Sequence, residues 1–233
     1  MKILGLTPNQ VAARISQTGQ SAPIPSLKQS LLTGSLGFTG ASLIVFATVA
    51  FAERWMYRNL GLAGAYLAWT LLFIALGAVL LSPLVIGPGR LRRFFWLFAA
   101  AFLLYAAGWV GAYFSLRGTV GEWLGSLAGS LLMALVIAAG FGVLYTFPRL
   151  FAVLLLSNSV GYFLGAWLDS TIRGRAGMIL WGVAYGLLLG AGIGWSLYVA
   201  QAPLRARLKA DGTAIRAKES FYQAGDGDHV MKR

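Results

Sequence analysis

Six long runs of the sequence contain no Asp, Glu, Lys or Arg, and they limit the possible folds more than any other feature. A helix of about 20 apolar residues crosses the hydrocarbon of a bilayer, and each run comes close to or exceeds that length. The sequence therefore predicts six membrane-spanning helices, at Ser35–Ala52, Leu60–Leu81, Phe94–Leu116, Trp123–Phe147, Leu150–Leu168 and Ala176–Ala200.

The overall composition also indicates a membrane protein. Of the 233 residues, 58% are hydrophobic and only 11% are charged, whereas about a quarter of the residues of a soluble domain are charged. Folding such a chain in water would leave large apolar surfaces exposed, which soluble monomers rarely tolerate. We therefore predict an all-α membrane protein whose transmembrane domain covers residues 34–200.

The two flanking segments have different compositions. Residues 1–33 lack the short apolar core of a secretory signal, and Thr7-Pro8 resembles the N-cap and first position of a short amphipathic helix. Residues 201–233 are polar and basic, which predicts a partly disordered tail. The division between the fourth and fifth spans is placed at Phe147-Pro148-Arg149, because proline disfavours helix at the preceding residue.

The distribution of basic residues predicts an orientation. With six spans both termini lie on one side, and 14 of the 19 Lys and Arg residues fall on that side. The positive-inside rule then makes both termini cytoplasmic, most simply in a bacterial inner membrane, with the basic residues near anionic lipid head groups. Four tryptophans near the opposite side suit an interfacial belt: Trp55, Trp123, Trp167 and Trp181.

A faint internal similarity suggests a repeat of three helices. The third and sixth spans each follow closely spaced arginines and each carry Gly-Trp late in the run, Gly108-Trp109 and Gly194-Trp195. Three helices are an odd number, so two such halves would have inverted topology, as in many transporters. A 3+3 inverted repeat is therefore one possible architecture.

Three adjacent polar residues, Ser157, Asn158 and Ser159, interrupt the fifth apolar run. At 100° per residue, Asn158 shares a helix face with Gly161 and Gly165, and small residues at this spacing allow another helix to approach closely. The cluster has two interpretations. It contacts a polar solute within the membrane, or Asn158 bonds a neighbouring helix while the serines bond their own backbone.

Glycine recurs every fourth residue in the sixth run, which is typical of glycine-zipper packing. In water each helical glycine costs roughly 1 kcal/mol relative to alanine, so close helix contact is the expected compensation. The fourth run repeats the spacing, and we expect helices four, five and six to form one tight unit; a glycine-lined conduit is the alternative. The helix-packing candidates in the last two helices are Gly161, Gly165, Gly182, Gly186, Gly190 and Gly194.

Several kinds of chemistry have no support in the sequence. Cysteine is absent and the single histidine, His229, lies in the tail, so the chain offers no Cys-based or clustered-His metal site and no haem ligation. No catalytic or phosphate-binding motif is present. We predict neither an enzyme nor a cofactor, nor a nucleic-acid partner, and expect Asp169 to pair with Arg173 or Arg175 or to face water.

The segment GYFLGAWLDSTIRGRAGMILWGVAYGLLLGAGIGWSLY, residues Gly161 to Tyr198, resembles the glycine-rich hairpin of the ATP synthase subunit I family. The resemblance covers under a fifth of the chain. It implies an accessory or assembly role, with Asp169 at the acidic position of the loop.

Two classes of function remain after these exclusions. The first is a permease or channel-like protein for a neutral or amphipathic solute, with Asn158 at the centre of a path between helices four, five and six. No ionisable residue lies near a predicted bilayer centre, so proton or ion coupling is not expected. The second is a non-catalytic membrane subunit or assembly factor, homo-oligomeric or with a membrane-protein partner.

Overall fold

The computed structural model describes residues 4–19 and 23–211, and within these ranges the chain forms seven α-helices and no strand. His229 and the tail beyond residue 211 lie outside the described residues. The helices are α1 Pro8–Thr18, α2 Leu27–Leu81, α3 Arg90–Leu116, α4 Gly118–Phe141, α5 Phe147–Ile172, α6 Gly174–Ala200 and α7, residues 202–211.

Five helices, α2 to α6, are long and apolar enough to cross a membrane. Many large apolar side chains lie on the outside of the bundle; Leu36 and Leu156, for example, are 64% and 66% exposed. Such a surface is unfavourable in water and suits a lipid environment. The structure is therefore consistent with a multi-pass membrane protein.

Helix α2 contains the first two predicted spans but is not straight. Gly61 has φ 66° and ψ 178°, a left-handed conformation that interrupts the helix and that glycine adopts without steric cost. The Phe38 and Phe73 rings lie 5.4 Å apart, so residues 27–60 and residues 62–81 fold back on each other. We call these segments the first and second halves of α2.

Two other helix reversals resemble the one at Gly61. Arg117 joins α3 to α4 with φ 52° and ψ 169°, and Arg173 joins α5 to α6 with φ 61° and ψ 163°. Gly61, Arg117 and Arg173 are evenly spaced, with 56 residues from each to the next. The helices thus form three successive antiparallel pairs, and the predicted inverted repeat is not confirmed.

The boundary between α4 and α5 differs from the prediction. Helix α4 ends at Phe141, because Gly142 adopts a left-handed conformation (φ 72°) and Val143 donates its N–H to the Ala138 carbonyl at 2.8 Å, closing the helix end. Pro148 lies in the first turn of α5, where its missing N–H is tolerated. Glycine, rather than proline, therefore terminates the fourth span.

The glycine-rich faces of α4 and α6 contact other helices than predicted, whereas the glycines of α5 do pack against α6. A Cβ on Gly190 would collide with the Gly34 backbone in the first half of α2, and a Cβ on Gly129 would meet Tyr105 of α3 at 2.8 Å. Helices α4, α5 and α6 therefore do not form a separate unit. Instead, six helical segments make a closed ring in the order first half of α2, second half of α2, α3, α4, α5 and α6.

The end of the bundle that carries the termini is closed; we call it the terminal end. Arg93 is 6% exposed, and its guanidinium donates to the carbonyls of Gly5 at 3.0 Å and Pro88 at 2.6 Å. Gln201 accepts from the Ile86 N–H at 2.8 Å. These bonds hold the N-terminal segment and the α2–α3 connection across the base of the ring.

Candidate functional site

A chamber of about 330 Å³ opens at the end of the bundle that carries the reversals at Gly61, Arg117 and Arg173, which we call the turn end. Its walls come from both halves of α2, from α3 and from α6, with one residue of α5 and none of α4. Twelve of the lining side chains are aromatic: Phe46, Tyr57, Tyr66, Trp69, Phe73, Phe102, Tyr105, Trp109, Tyr113, Tyr162, Trp181 and Tyr185.

The aromatic wall is continuous across four helices. The centroid of Tyr162 lies 5.4 Å from Trp109 and 5.4 Å from Trp181, and Trp181 lies 5.8 Å from Phe46. These distances are typical of interacting aromatic pairs. One side of the chamber is thus an unbroken surface of rings, from α3 through α5 and α6 to α2.

Residue spacing explains why α3 contributes so many of these rings. Tyr105, Trp109 and Tyr113 are four residues apart and therefore lie on one helix face. Each of these aromatic residues lies opposite a glycine of α4, which is Gly129, Gly125 and Gly121, respectively. The small residues of α4 let α3 approach closely, so that the large side chains of α3 extend along the chamber.

Phenylalanines close the chamber at mid-bundle. Phe38, Phe73, Phe98 and Phe102 are all buried, and the Phe73–Phe102 and Phe98–Phe102 centroid distances are 5.1 and 5.6 Å. Phe73 and Phe102 line the chamber, whereas Phe38 and Phe98 lie behind them toward the terminal end. The chamber is therefore a pocket that opens at one end, not a through-going channel.

A buried polar network lies beside the deep part of the chamber. Tyr105 donates its hydroxyl to Asn158 Oδ1 at 2.8 Å, and Asn158 Nδ2 donates to Ser126 Oγ at 2.8 Å. Ser126 Oγ also shares a hydrogen bond of 2.7 Å with Ser159 Oγ. Because Tyr105 donates to Asn158, Tyr185 must donate the 2.8 Å bond between the two tyrosine hydroxyls.

The three polar residues of α5 have different environments. Asn158 is fully buried and Ser159 is 7% exposed, and both belong to the network. Ser157 instead donates to the Leu154 carbonyl of its own helix at 3.3 Å and lies against Gly192. None of the three lines the chamber. Asn158 reaches it only through Tyr105 and Tyr185, so the predicted solute contact is at most indirect in this conformation.

Three chamber tryptophans, Trp69, Trp109 and Trp181, have a buried indole N–H without a hydrogen-bond partner. The helix contacts account for two of them. A Cβ on Gly165 would lie 2.7 Å from Trp181 Nε1, and one on Gly125 would lie 3.2 Å from Trp109 Cδ1. The pyrrole rings of both indoles are therefore packed against glycines.

Among the described residues, Glu53 is the one carboxylate that lines the chamber. Tyr57 follows it by four residues on the same helix and also lines the chamber. Glu53 also borders a second cavity of about 470 Å³ at the turn end, together with Arg54, Asp169 and Arg175. The Arg175 guanidinium lies over the Phe51 ring, 4.9 Å from its centroid.

Of the two environments expected for Asp169, the ion pair with Arg173 or Arg175 does not form, and the side chain is partly exposed instead. Across residues 4–19 and 23–211, no basic nitrogen lies within 4.0 Å of a carboxylate oxygen of Asp169 or Glu53. The same part of the chain contains no group of three or more Asp, Glu, His or Cys side chains arranged to hold a metal ion. The turn end therefore holds carboxylates and arginines that are close together but not paired.

Sequence reasoning missed the chamber because it assigned tryptophans to a membrane-interface belt. Trp55, Trp123 and Trp167 are indeed 62%, 53% and 60% exposed, but Trp181 lines the chamber. The usable signal was the four-residue spacing of aromatic residues, at Tyr105-Trp109-Tyr113 and Trp181-Tyr185, opposite equally spaced glycines.

No known protein family, curated protein or solved structure matches this chain. The resemblance of residues 161–198 to the ATP synthase subunit I hairpin therefore has no support from these comparisons.

Proposed function

We propose that this protein crosses the membrane six times and binds an amphipathic solute in the aromatic chamber, as a permease without proton or ion coupling. The observation that carries the proposal is the chamber itself, which is open at the turn end and closed at mid-bundle. A pocket of this size, mostly apolar with a few polar groups, is typical of a small-molecule site.

The two halves of α2 support six crossings rather than five. Residues 62–81 alone extend about 30 Å at 1.5 Å per residue, which equals the thickness of the hydrocarbon. Residues 27–60 are longer, and their Phe38 lies beside Phe73. Each half therefore has the length of a complete span, and the reversal at Gly61 lies at the turn end with the other two.

The ends of the bundle fit the alternating access of a permease. In this conformation the chamber is accessible from the turn end, and the way to the terminal end is blocked by the phenylalanines at mid-bundle and then by the N-terminal segment and the α2–α3 connection. Transport therefore requires the phenylalanine rings to rotate, the helix pairs to tilt and these connecting segments to move aside. The excess of Lys and Arg at the terminal end makes that end cytoplasmic in this proposal.

The alternative function, a non-catalytic membrane subunit or assembly factor, fits the structure less well in one respect. It required glycine faces that receive helices of a partner protein, but the chain already occupies them. Gly182 lies against Phe46, Gly186 against Thr39, and Gly161 against Tyr185. An assembly role would have to use the outer, leucine-rich surface of the ring instead.

Thiol labelling tests the proposal, because the chain has no cysteine of its own. Ala106 is half-buried and lines the chamber, so Ala106→Cys places a thiol on the wall. Leu104→Cys is the matched control, since Leu104 is 42% exposed on the opposite face of α3 at nearly the same depth. Ser157→Cys tests the polar cluster of α5 in the same way.

Membrane-impermeant methanethiosulfonate reagents are then applied to each side of sealed vesicles. A permease predicts fast labelling of Ala106→Cys from the turn end and slower labelling from the terminal end, with Leu104→Cys and Ser157→Cys unreactive. Labelling from the turn end alone, under every solute condition tried, would contradict transport and leave a one-sided binding protein. No labelling from either side would contradict an accessible chamber.

A further inference from the structure

We infer that the chamber selects organic cations, such as quaternary or tertiary ammonium compounds with an apolar body, and that Glu53 supplies the counter-charge. The inference rests on the proposed solute-binding chamber and specifies its ligand class. It follows from three features of the chamber walls: the charge of the one ionisable carboxylate, the absence of an ion-pair partner for it, and the orientation of the indole rings.

Among the described residues that line the chamber, Glu53 is the only Asp, Glu, Lys or Arg. The formal charge of the chamber wall is therefore negative. In the described part of the chain, no arginine or lysine nitrogen lies within 4.0 Å of its carboxylate. A half-buried carboxylate that lacks an ion-pair partner gains most from a mobile cation. Arg54 and Arg175 lie on the side of the second cavity, where Arg175 stacks over Phe51.

The aromatic walls offer the parts of their rings that attract cations. An aromatic ring is electron-rich on its face and electron-poor at its edge, and tryptophan provides the strongest cation–π interaction. The pyrrole rings of Trp109 and Trp181 pack against Gly125 and Gly165, neither of which lines the chamber. The remainder of each indole is therefore left to contribute its π system to the chamber wall.

The same arrangement disfavours an anion. An anion needs charged donors or several N–H groups that converge on it, whereas no described basic residue lines the chamber and, among the described lining residues, the one indole N–H not packed against a glycine is that of Trp69. The deepest hydroxyls of the chamber are already committed as donors, because Tyr105 donates to Asn158 and Tyr185 donates to Tyr105. A neutral solute would fit the apolar walls but would gain nothing from Glu53. An organic cation is the ligand class that uses both the rings and the carboxylate.

Three probes of nearly equal shape separate these ligand classes. Benzyltrimethylammonium is a cation, neopentylbenzene is its neutral isostere, and phenylmethanesulfonate is an anion of similar form. Each probe is tested for protection of Ala106→Cys against a small neutral thiol reagent, using the full-length protein in detergent. We expect the cation to protect at concentrations about tenfold lower than the neutral isostere, and the anion not to protect.

Glu53→Gln tests the assigned residue. It keeps the size of the side chain and removes the charge, so the preference for the cation over the neutral isostere should fall to about twofold or less. Asp169→Asn is the matched control, because Asp169 lies at the same end but does not line the chamber. The control should keep the full preference.

The outcomes distinguish the two proposals. Equal protection by the cation and the neutral isostere would overturn cation selection while leaving solute binding intact. Protection by none of the probes, with Ala106→Cys still reactive, would overturn both the ligand class and the proposed binding chamber. An unchanged preference in Glu53→Gln would show that the rings select the cation without the carboxylate and would overturn the assignment of Glu53.

Discussion

Polar and charged side chains are bonded differently at the two ends of the bundle. At the terminal end, Arg93 and Gln201 bond backbone carbonyl and N–H groups of the connecting segments, and of their side-chain nitrogens only Arg93 Nε lacks a partner among the described residues. At the turn end, Glu53 and Asp169 have no ion-pair partner within the described residues. Both carboxylates are only half-buried, so their charges are available to solvent and, at Glu53, to the cation proposed as ligand.

Helix packing also differs between the terminal end and the turn end. Toward the terminal end, α6 touches the first half of α2 backbone to backbone at Gly190 and Gly194. Toward the turn end, large aromatic side chains keep the helices apart and leave the chamber between them. We therefore expect substitutions near the terminal end to change stability strongly, and substitutions in the chamber to change mainly binding.

The largest effect is expected for Gly194→Leu. A Cβ at this position would overlap the Ser30 carbonyl, which is backbone and cannot rotate away, so the loss should exceed about 3 kcal/mol and prevent correct folding. Gly111→Leu is the control, since nothing lies within 4 Å of a Cβ there. Thermal unfolding in detergent, followed by size-exclusion chromatography, measures both. Normal folding of Gly194→Leu would refute the close helix contact.

Arg93→Met should have the next largest effect. Its guanidinium bonds the carbonyls of Gly5, Ile86 and Pro88, and hydrogen bonds to charged groups contribute about 1.5–3 kcal/mol each, so a loss of about 3 kcal/mol or more is expected. Limited trypsin digestion at Arg14 reports release of the N-terminal segment. Arg92→Met, which changes an exposed neighbour, should leave the digestion rate unchanged. Equal rates for both variants would contradict the role of Arg93.

Asn158→Leu should cost about 1–3 kcal/mol, because Ser126 loses a donor and Tyr105 loses its acceptor in a buried site. Ser157→Ala should cost about 0.5 kcal/mol or less, since that hydroxyl only bonds its own helix. Melting temperatures of the two variants test the difference. If Ser157→Ala proved as damaging as Asn158→Leu, the separate environments described for these neighbours would be wrong.

Only a small change in stability is expected for Trp109→Phe in the chamber. The substitution removes an N–H that has no partner, and the lost ring volume adjoins the chamber, so stability should change by about 1 kcal/mol or less. Protection of Ala106→Cys by benzyltrimethylammonium should weaken in the same protein. A large loss of stability with unchanged protection would contradict the expectation that substitutions in the chamber change mainly binding.

Much of the fold could be predicted because a bilayer limits what an apolar run can do. The short helix after Thr7 is present as α1, with Pro8 at its start. Helices α3 and α6 end at the predicted residues, Leu116 and Ala200. The end of α4 could not be placed, because Gly142 and Pro148 both disrupt helices and only the backbone shows which one does so.

The candidate site was much less predictable. The face shared by Asn158, Gly161 and Gly165 indicated a helix interface, and Asn158 is fully buried. The partners of Asn158 could not be identified, since Tyr105 and Ser126 lie on other helices, 53 and 32 residues away. The chamber was also not predictable, because periodicity cannot distinguish a ring that faces lipid from one that faces a cavity.

The sequence by itself determined that this chain is helical, suited to a membrane and lacking cysteine, because these properties follow from composition and run length. Only the tertiary structure decided that α6 contacts α2, that Trp181 faces inward, and that Glu53 lies at an aromatic chamber. The physical reason is that lipid and protein interior are both apolar. Hydrophobicity therefore specifies that a helix is inserted but not which of its faces meets another helix.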